Sequence, residues 1–303
     1  MNLNTGKSLK ISLSSYKTEI TNSHKILNMR KISLLAGVLF ILITGCRNKD
    51  MIRPGEPINT AYDKSMTLYE NGKYSDAAYG FDIVTRQGRG TNYAKDAQFY
   101  LAESYYNDKQ YILAASEYER FISYYPQDPK RVEVEYKRAL CYYQQSPRYR
   151  LDQSATRQAI ELFQLFNTNY PNSEFVLEAA EKIDELRSKL ARKAYESGNF
   201  YLRTRRYLAA SIYYDQTIDQ YPESKWAEEA LIKQIETYIV YADNSVPSKQ
   251  AERYAKAIEN YEKFLQLFPQ SSKRAEAEKM YNEAAQKLAE APTVAAGENQ
   301  GGN

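Results

Sequence analysis

The side chains that could do chemistry in this 303-residue chain are few, and most are poorly placed for it. The one histidine, His24, lies in a polar N-terminal stretch. The rest of the chain therefore has no imidazole for general-base work or metal ligation. Cys–His and Ser–His–Asp arrangements are excluded with it, and Gly88 and Gly90 lack the further Gly or Lys of a phosphate-cradling loop. Carboxylate pairs such as Asp184-Glu185 and Glu228-Glu229 are adjacent on predicted helices, where neighbours point apart and mark a solvated face. The expectation is a protein that is not an enzyme and uses neither cofactor nor metal. That leaves two cysteines. Cys141, within Arg138-Ala-Leu-Cys-Tyr-Tyr143, reads as a buried small apolar residue.

Cys46 is different. Met29-Arg30-Lys31 precedes an apolar run from Ile32 to Ile43, about 12 residues, and small residues stand just before the thiol. A spanning helix needs roughly 20 residues, so this is the layout of a secretory signal. Ile43-Thr44-Gly45-Cys46 resembles the lipobox of bacterial lipoproteins, in which the cysteine is acylated on sulfur and becomes the new N-terminus. Two or three acyl chains anchor a protein stably where one does not. The expected segments are an upstream extension over 1–28, a lipoprotein signal peptide over 29–45, a flexible tether over 46–58, a repeat domain over 59–290 and a disordered tail over 291–303. With Cys46 lipidated, Cys141 has no intramolecular partner.

The net charge of +3 hides an asymmetry. Six of the 41 basic residues but only one of the 38 acidic ones lie in residues 1–45, which leaves 35 bases against 37 acids, a net of −2. A near-neutral body lacks the positive footprint of a nucleic-acid binder.

The body repeats. Tyr111-Ile-Leu-Ala-Ala-Ser-Glu-Tyr-Glu-Arg-Phe-Ile-Ser-Tyr-Tyr-Pro126 sets a pattern of aromatic, Ala, aromatic, Phe and terminal Pro. It returns around Ala159, Ala210 and Ala257 and, more weakly, around Ala77. Apolar residues spaced three and four apart make each copy an amphipathic helix, and the proline stops it. Small residues in the preceding segments, Ala102, Ala139 and Gly198, would let the paired helix approach closely. Five hairpins follow, and an extended array suits apolar residues spread along a repeat better than a globule does.

Two hairpins depart from the template. The third has about eight extra residues around Ser146-Pro-Arg-Tyr-Arg-Leu-Asp152. The fourth has no Gly or Pro from Asn172 to Ser197, and its first helix is 14 residues longer, close to four turns, which predicts one helix from about Ser173, as N-cap, to Arg203.

The motif Tyr-x-x-Ala-x-x-x-Tyr/Phe ending in Tyr-Pro resembles the second helix of tetratricopeptide repeats. The successive alanines stand 37, 45, 51 and 47 residues apart, wider than that family's usual period. Together with the lipobox, the insertion Ser146-Pro147 to Leu151-Asp152-Gln153, Tyr170-Pro171-Asn172-Ser173 and Leu186-Arg187 with Leu190-Ala191, this order is similar to the BamD family of outer-membrane lipoproteins. The resemblance implies an all-α superhelical array of about five tetratricopeptide-like hairpins with a long helix in the fourth. It implies a non-enzymatic scaffold at the periplasmic face of the outer membrane. Its partners would be a BamA-like barrel protein, unfolded outer-membrane clients and, through Cys46, the membrane. A tetratricopeptide lipoprotein coordinating cell-wall or other envelope machinery is the alternative. A helical glycan hydrolase would need a compact catalytic domain, and no stretch outside the repeats is long enough.

Helical spacing puts Tyr62, Met66 and Tyr69 of the first hairpin and Phe99, Glu103 and Tyr106 of the second on one concave wall. Rings of this kind offer large contact area at low entropic cost, and the 29 tyrosines can act both as packing knobs and as a peptide surface.

Overall fold

The computed structural model describes residues 52–53 and 55–291. The expected extension, signal peptide, Cys46 and all but one residue of the tail lie outside them. Residues 55–291 fall within one compact unit, and Ile52 and Arg53 belong to a separate N-terminal one. Among the described residues there are eleven helices and no strand: α1 (Ile58–Glu70), α2 (Tyr74–Gln87), α3 (Asn92–Asn107), α4 (Tyr111–Tyr124), α5 (Arg131–Gln145), α6 (Ser154–Asn169), α7 (Val176–Arg203), α8 (Tyr207–Gln220), α9 (Lys225–Asp243), α10 (Pro247–Leu267) and α11 (Arg274–Glu290). Each packs on its neighbours in sequence, and α1 also touches α3, α7 touches α9 and α9 touches α11. This is the contact pattern of an array of antiparallel hairpins, closed by α11. None of these helices is long and apolar enough to cross a membrane.

The small residues hold the pairs together. Ala77, Ala114, Ala159, Ala210 and Ala257 have no exposed surface, and neither do Ala102 and Ala139. At Gly198 the approach is closest, since a Cβ there would stand 2.5 Å from Cε1 and 2.7 Å from Cδ1 of the fully buried Tyr214. The aromatic and Phe positions of the template, Tyr118, Phe121, Phe163, Phe166, Tyr214 and Phe264, are buried around these contacts.

The helix ends follow from local chemistry. Tyr125, Tyr170, Tyr221 and Phe268 all close a helix with φ between −137° and −127° and ψ between 53° and 59°. Each precedes a proline, whose ring drives the residue before it out of the helical region. The tight turns of hairpins one, two and four share another device. Gly72, Lys109 and Arg205 adopt φ of 72°, 61° and 58°. Each donates its N–H to the carbonyl three residues back, and the next residue donates to the carbonyl five back, as in Lys73 to Leu68, Gln110 to Tyr105 and Arg206 to Tyr201. The left-handed residue thereby satisfies the orphan carbonyls of the helix end.

Helix α7 has 28 residues, about 42 Å of rod. It begins later than the sequence implies, and Ser173 does not cap it. The Ser173 N–H donates to the Tyr170 carbonyl, its Oγ accepts from the Phe175 N–H at 3.3 Å, and Phe175 occupies the cap position in helical geometry. A turn forced by Tyr170-Pro171 uses up those residues first.

The third hairpin's insertion is tied to this rod. Lys189 donates to Ser146 Oγ at 2.9 Å and Lys193 to the Leu151 carbonyl at 2.6 Å. Inside the insertion, the buried Gln153 donates to the Arg148 and Leu151 carbonyls and accepts from Thr156 Oγ1.

The Gly198–Tyr214 contact carries an expected outcome. Gly198→Ala forces a methyl into a filled space, which costs about 1–3 kcal/mol, against about 1 kcal/mol regained from helix propensity. The melting temperature falls; an equal or higher one means that Tyr214 yields freely.

Candidate functional site

The six groove residues sit on the first helices of hairpins one and two. Tyr62, Met66 and Tyr69 on α1 are half-buried, as is Tyr106 on α3, whereas Phe99 and Glu103 are each 7% exposed. The rings form a connected series. Tyr62 meets Tyr93 at 5.4 Å and Phe81 at 5.9 Å between centroids, Phe81 stacks on Tyr100 at 5.6 Å, and Tyr100 meets Tyr69 at 5.3 Å and Phe99 at 5.4 Å. Tyr69 also packs on Tyr74, and its hydroxyl accepts from Asn107 Nδ2 at 3.1 Å. Tyr62, Tyr69 and Phe99 are thus brought into one network, and Tyr106 packs beside it on Tyr111 at 5.4 Å. Edge-on and offset contacts of this kind fix ring orientation as well as burying area.

Phe99 and Glu103 lie deeper than helical spacing alone implies, because the third hairpin closes over them. The ammonium of Lys130 sits 4.6 Å from the Phe99 centroid and that of Lys137 5.4 Å. Glu103 accepts from the Tyr118 hydroxyl and from Lys137 Nζ at 2.7 Å, and Lys137 also reaches Glu133 at 3.0 Å. Burial on its own would lower the Lys137 pKa, but the two carboxylates outweigh it and hold the ammonium above its ordinary value. Burial, reinforced by Glu103, pushes the Tyr118 hydroxyl well up.

Tyr118 occupies an aromatic position of the template and Lys137 follows Glu133 by one helical turn, so both were recognisable as framework residues. Their meeting at Glu103 joins three helices from two hairpins, and no local spacing encodes it. Cys141 is free and fully buried, its thiol pushed up to about 12 by burial and then by Glu103. Among the described residues no group of three His, Cys, Asp or Glu could hold a metal ion. The six groove residues thus present rings with polar edges, on helices whose spacing is set by the alanine contacts.

Comparison with known families gives a match between residues 54–253 and the family described as YfiO, outer membrane lipoprotein. The chain belongs to this family. It is similar to the outer membrane protein assembly factor BamD of Caulobacter vibrioides, 26% identical over 217 residues, covering 70% of this chain and 71% of that one. BamD of Rickettsia prowazekii is 29% identical over 215 residues, 70% of this chain and 86% of its own. BamD of Vibrio cholerae is 24% identical over 250 residues, 79% and 99% respectively. The YfiO match runs through the first four hairpins and α9 and ends inside α10. It includes both departures from the template, the insertion and the long α7.

The buried phenols and thiol of this YfiO-family chain imply a pH dependence. Tyr62, by burial, and Tyr143, through its bond to Glu185, are both pushed up to about 12, as is Cys141. Groups with raised folded-state pKa values bind protons that the unfolded chain releases, so stability falls as pH rises between the two values. The urea midpoint should fall from about pH 9, as the unfolded thiol titrates, and more steeply between about pH 10 and 12, where these folded groups still hold protons that the unfolded chain has lost. The fall should be smaller in the Tyr62→Phe/Tyr143→Phe variant; an undiminished fall there would contradict this.

Proposed function

We propose that this YfiO-family chain works as a scaffold in the assembly of outer-membrane proteins, holding a BamA-like barrel protein and receiving unfolded barrel clients. The observation that carries the proposal is the family match over residues 54–253, together with the similarity to proteins named outer membrane protein assembly factors. Outer-membrane association and a part in outer-membrane protein assembly follow from that membership. The chain is a scaffold and not an enzyme. The finer roles rest on chemistry: Cys46 in its lipobox supplies the anchor, the body faces the periplasm, and the aromatic wall of α1 and α3 receives client segments.

The anchor and the barrel partner are checked together. Affinity purification from detergent-solubilised envelopes is expected to bring a BamA-like barrel protein down with the wild-type chain. Cys46→Ser is expected in the soluble fraction or unprocessed, since acyl chains are the proposed hold on the membrane. Normal outer-membrane fractionation of that variant removes the lipid anchor from the account, and absence of a barrel protein removes the partner.

The groove is checked at Tyr69 and Tyr106, which are half-buried and so contribute both packing and surface. Replacing both by Ala is expected to weaken binding of a barrel-derived aromatic peptide by about tenfold or more while folding survives. A variant that melts several kcal/mol early assigns these rings to the core, and one that is stable and binds as before ends the groove reading.

A further inference from the structure

Cations cover aromatic rings along much of the array. Lys130 and Lys137 lie over Phe99, Lys182 over Tyr143 at 4.8 Å, Arg192 over Trp226 at 5.3 Å and Arg253 over Tyr241 at 3.6 Å. In the first three of these pairs the cation comes from the first helix of the next hairpin or the linker before it, and in the last from the helix that follows the ring's own. At Phe99 the arrangement is complete. Lys130 also stands 5.8 Å from the Tyr100 ring and 3.6 Å from Asp96, so one ammonium is held by two π faces and a carboxylate. Such a site attracts cations through the ring quadrupole as well as through charge.

The joint between hairpins one and two has rings and carboxylates of the same kind, with no cation over the rings among the described residues. Tyr62 and Tyr93 meet at 5.4 Å, Tyr93 is 41% exposed, and Asp63 is exposed on the same turn of α1 as Tyr62. Asp96 reaches this cluster from α3, its side chain 41% exposed and its contact with Lys130 a long one. Both carboxylates bear on the Tyr62 hydroxyl, adding to the upward push of burial. The neighbouring base on α1, Lys64, is turned away to Glu56 at 2.7 Å. Among the described residues, none of the cation–ring contacts involves Tyr62, Tyr69 or Tyr93.

We infer that the Tyr62–Tyr93 end of the groove, flanked by Asp63 and Asp96, takes a lysine or arginine side chain from an extended polypeptide lying along the aromatic wall. The inference rests on the groove reading and adds to it the charge of the segment received. The occupant supplies here what Lys130 supplies at Phe99: a cation on a ring face beside a carboxylate. The site thereby fixes register as well as affinity, because this end of the groove sets ring faces without a cation beside Asp63 and Asp96. An acidic residue at the same peptide position would face Asp63 and Asp96 and be rejected.

The test uses the full chain in detergent and three synthetic peptides with identical aromatic positions and Lys, Gln or Glu at one site next to them. Fluorescence anisotropy at low salt is expected to rank them Lys, Gln, Glu, with about tenfold between the first two. The gap between Lys and Glu should shrink at high salt and collapse in the D63N/D96N variant. Asp63 is exposed and Asp96 makes only the long ion pair, so a melting curve is expected to show that this variant folds. Equal binding of all three peptides by wild type, lost on replacing Tyr69 and Tyr106 by Ala, keeps the groove and overturns the cation site. The same ranking in wild type and in D63N/D96N also overturns it. Binding of none of the peptides overturns the groove reading itself.

Discussion

The close approach of paired helices at their small residues is the constraint on which the rest of this structure depends. Ala77, Ala114, Ala159, Ala210 and Ala257 have no exposed surface, and at Gly198 even a methyl would collide with Tyr214. With the helix axes that close, the large rings cannot lie between the pair at those points. They pack to either side, where Tyr118, Phe121, Phe163, Phe166 and Phe264 fill the joints between hairpins. The remaining rings of the first helices, Tyr62, Tyr69 and Tyr106 among them, are left half-buried along the wall. Core and candidate binding surface are therefore two consequences of one spacing.

Charge placement follows the same geometry. At the joints after hairpins two and three, bases of the following hairpin reach back over rings of the one before, as Lys130 and Lys137 do over Phe99 and Lys182 over Tyr143. Glu103 tolerates burial because Tyr118 and Lys137 satisfy it, and Lys137 keeps its proton because Glu133 stands on its other side. A buried charge without such partners would cost several kcal/mol. The joint between hairpins two and three thus carries a polar link, whereas the joint around Ile235, Leu231 and Phe264 is apolar. The insertion after α5 adds a third kind of joint, since its backbone carbonyl at Leu151 and the Ser146 hydroxyl take lysines from the long α7.

Much of the architecture was legible because its causes are local. Proline fixes where a helix B must stop, and Tyr125, Tyr170, Tyr221 and Phe268 adopt nearly the same backbone angles for that reason. The spacing of apolar residues makes the helices amphipathic, and the lack of Gly or Pro before Ser197 makes α7 a single rod. That rod starts a few residues later than its sequence implies. A serine followed by an acid looks like a cap, but the turn imposed by Tyr170-Pro171 claimed Ser173 for its own hydrogen bonds. Lys109 and Arg205 were equally unreadable as left-handed residues, since that conformation favours glycine and is held here by the paired bonds that close the helix ends.

By itself, then, the sequence determined the all-helical hairpins, their small-residue contacts, the long fourth-repeat helix and the resemblance that the YfiO match upholds. Periodicity, proline and side-chain size act within a few residues, so they can be read along the chain. Only the tertiary structure decided how deep each groove residue lies. Phe99 and Glu103 are covered because Lys130, Lys137 and Tyr118 arrive from other helices, while Tyr62 and Tyr93 keep an exposed face because no base of the described chain arrives there. Such contacts join residues 15 to 40 positions apart, and their outcome depends on the angle at which one hairpin stacks on the next, which no single helix encodes.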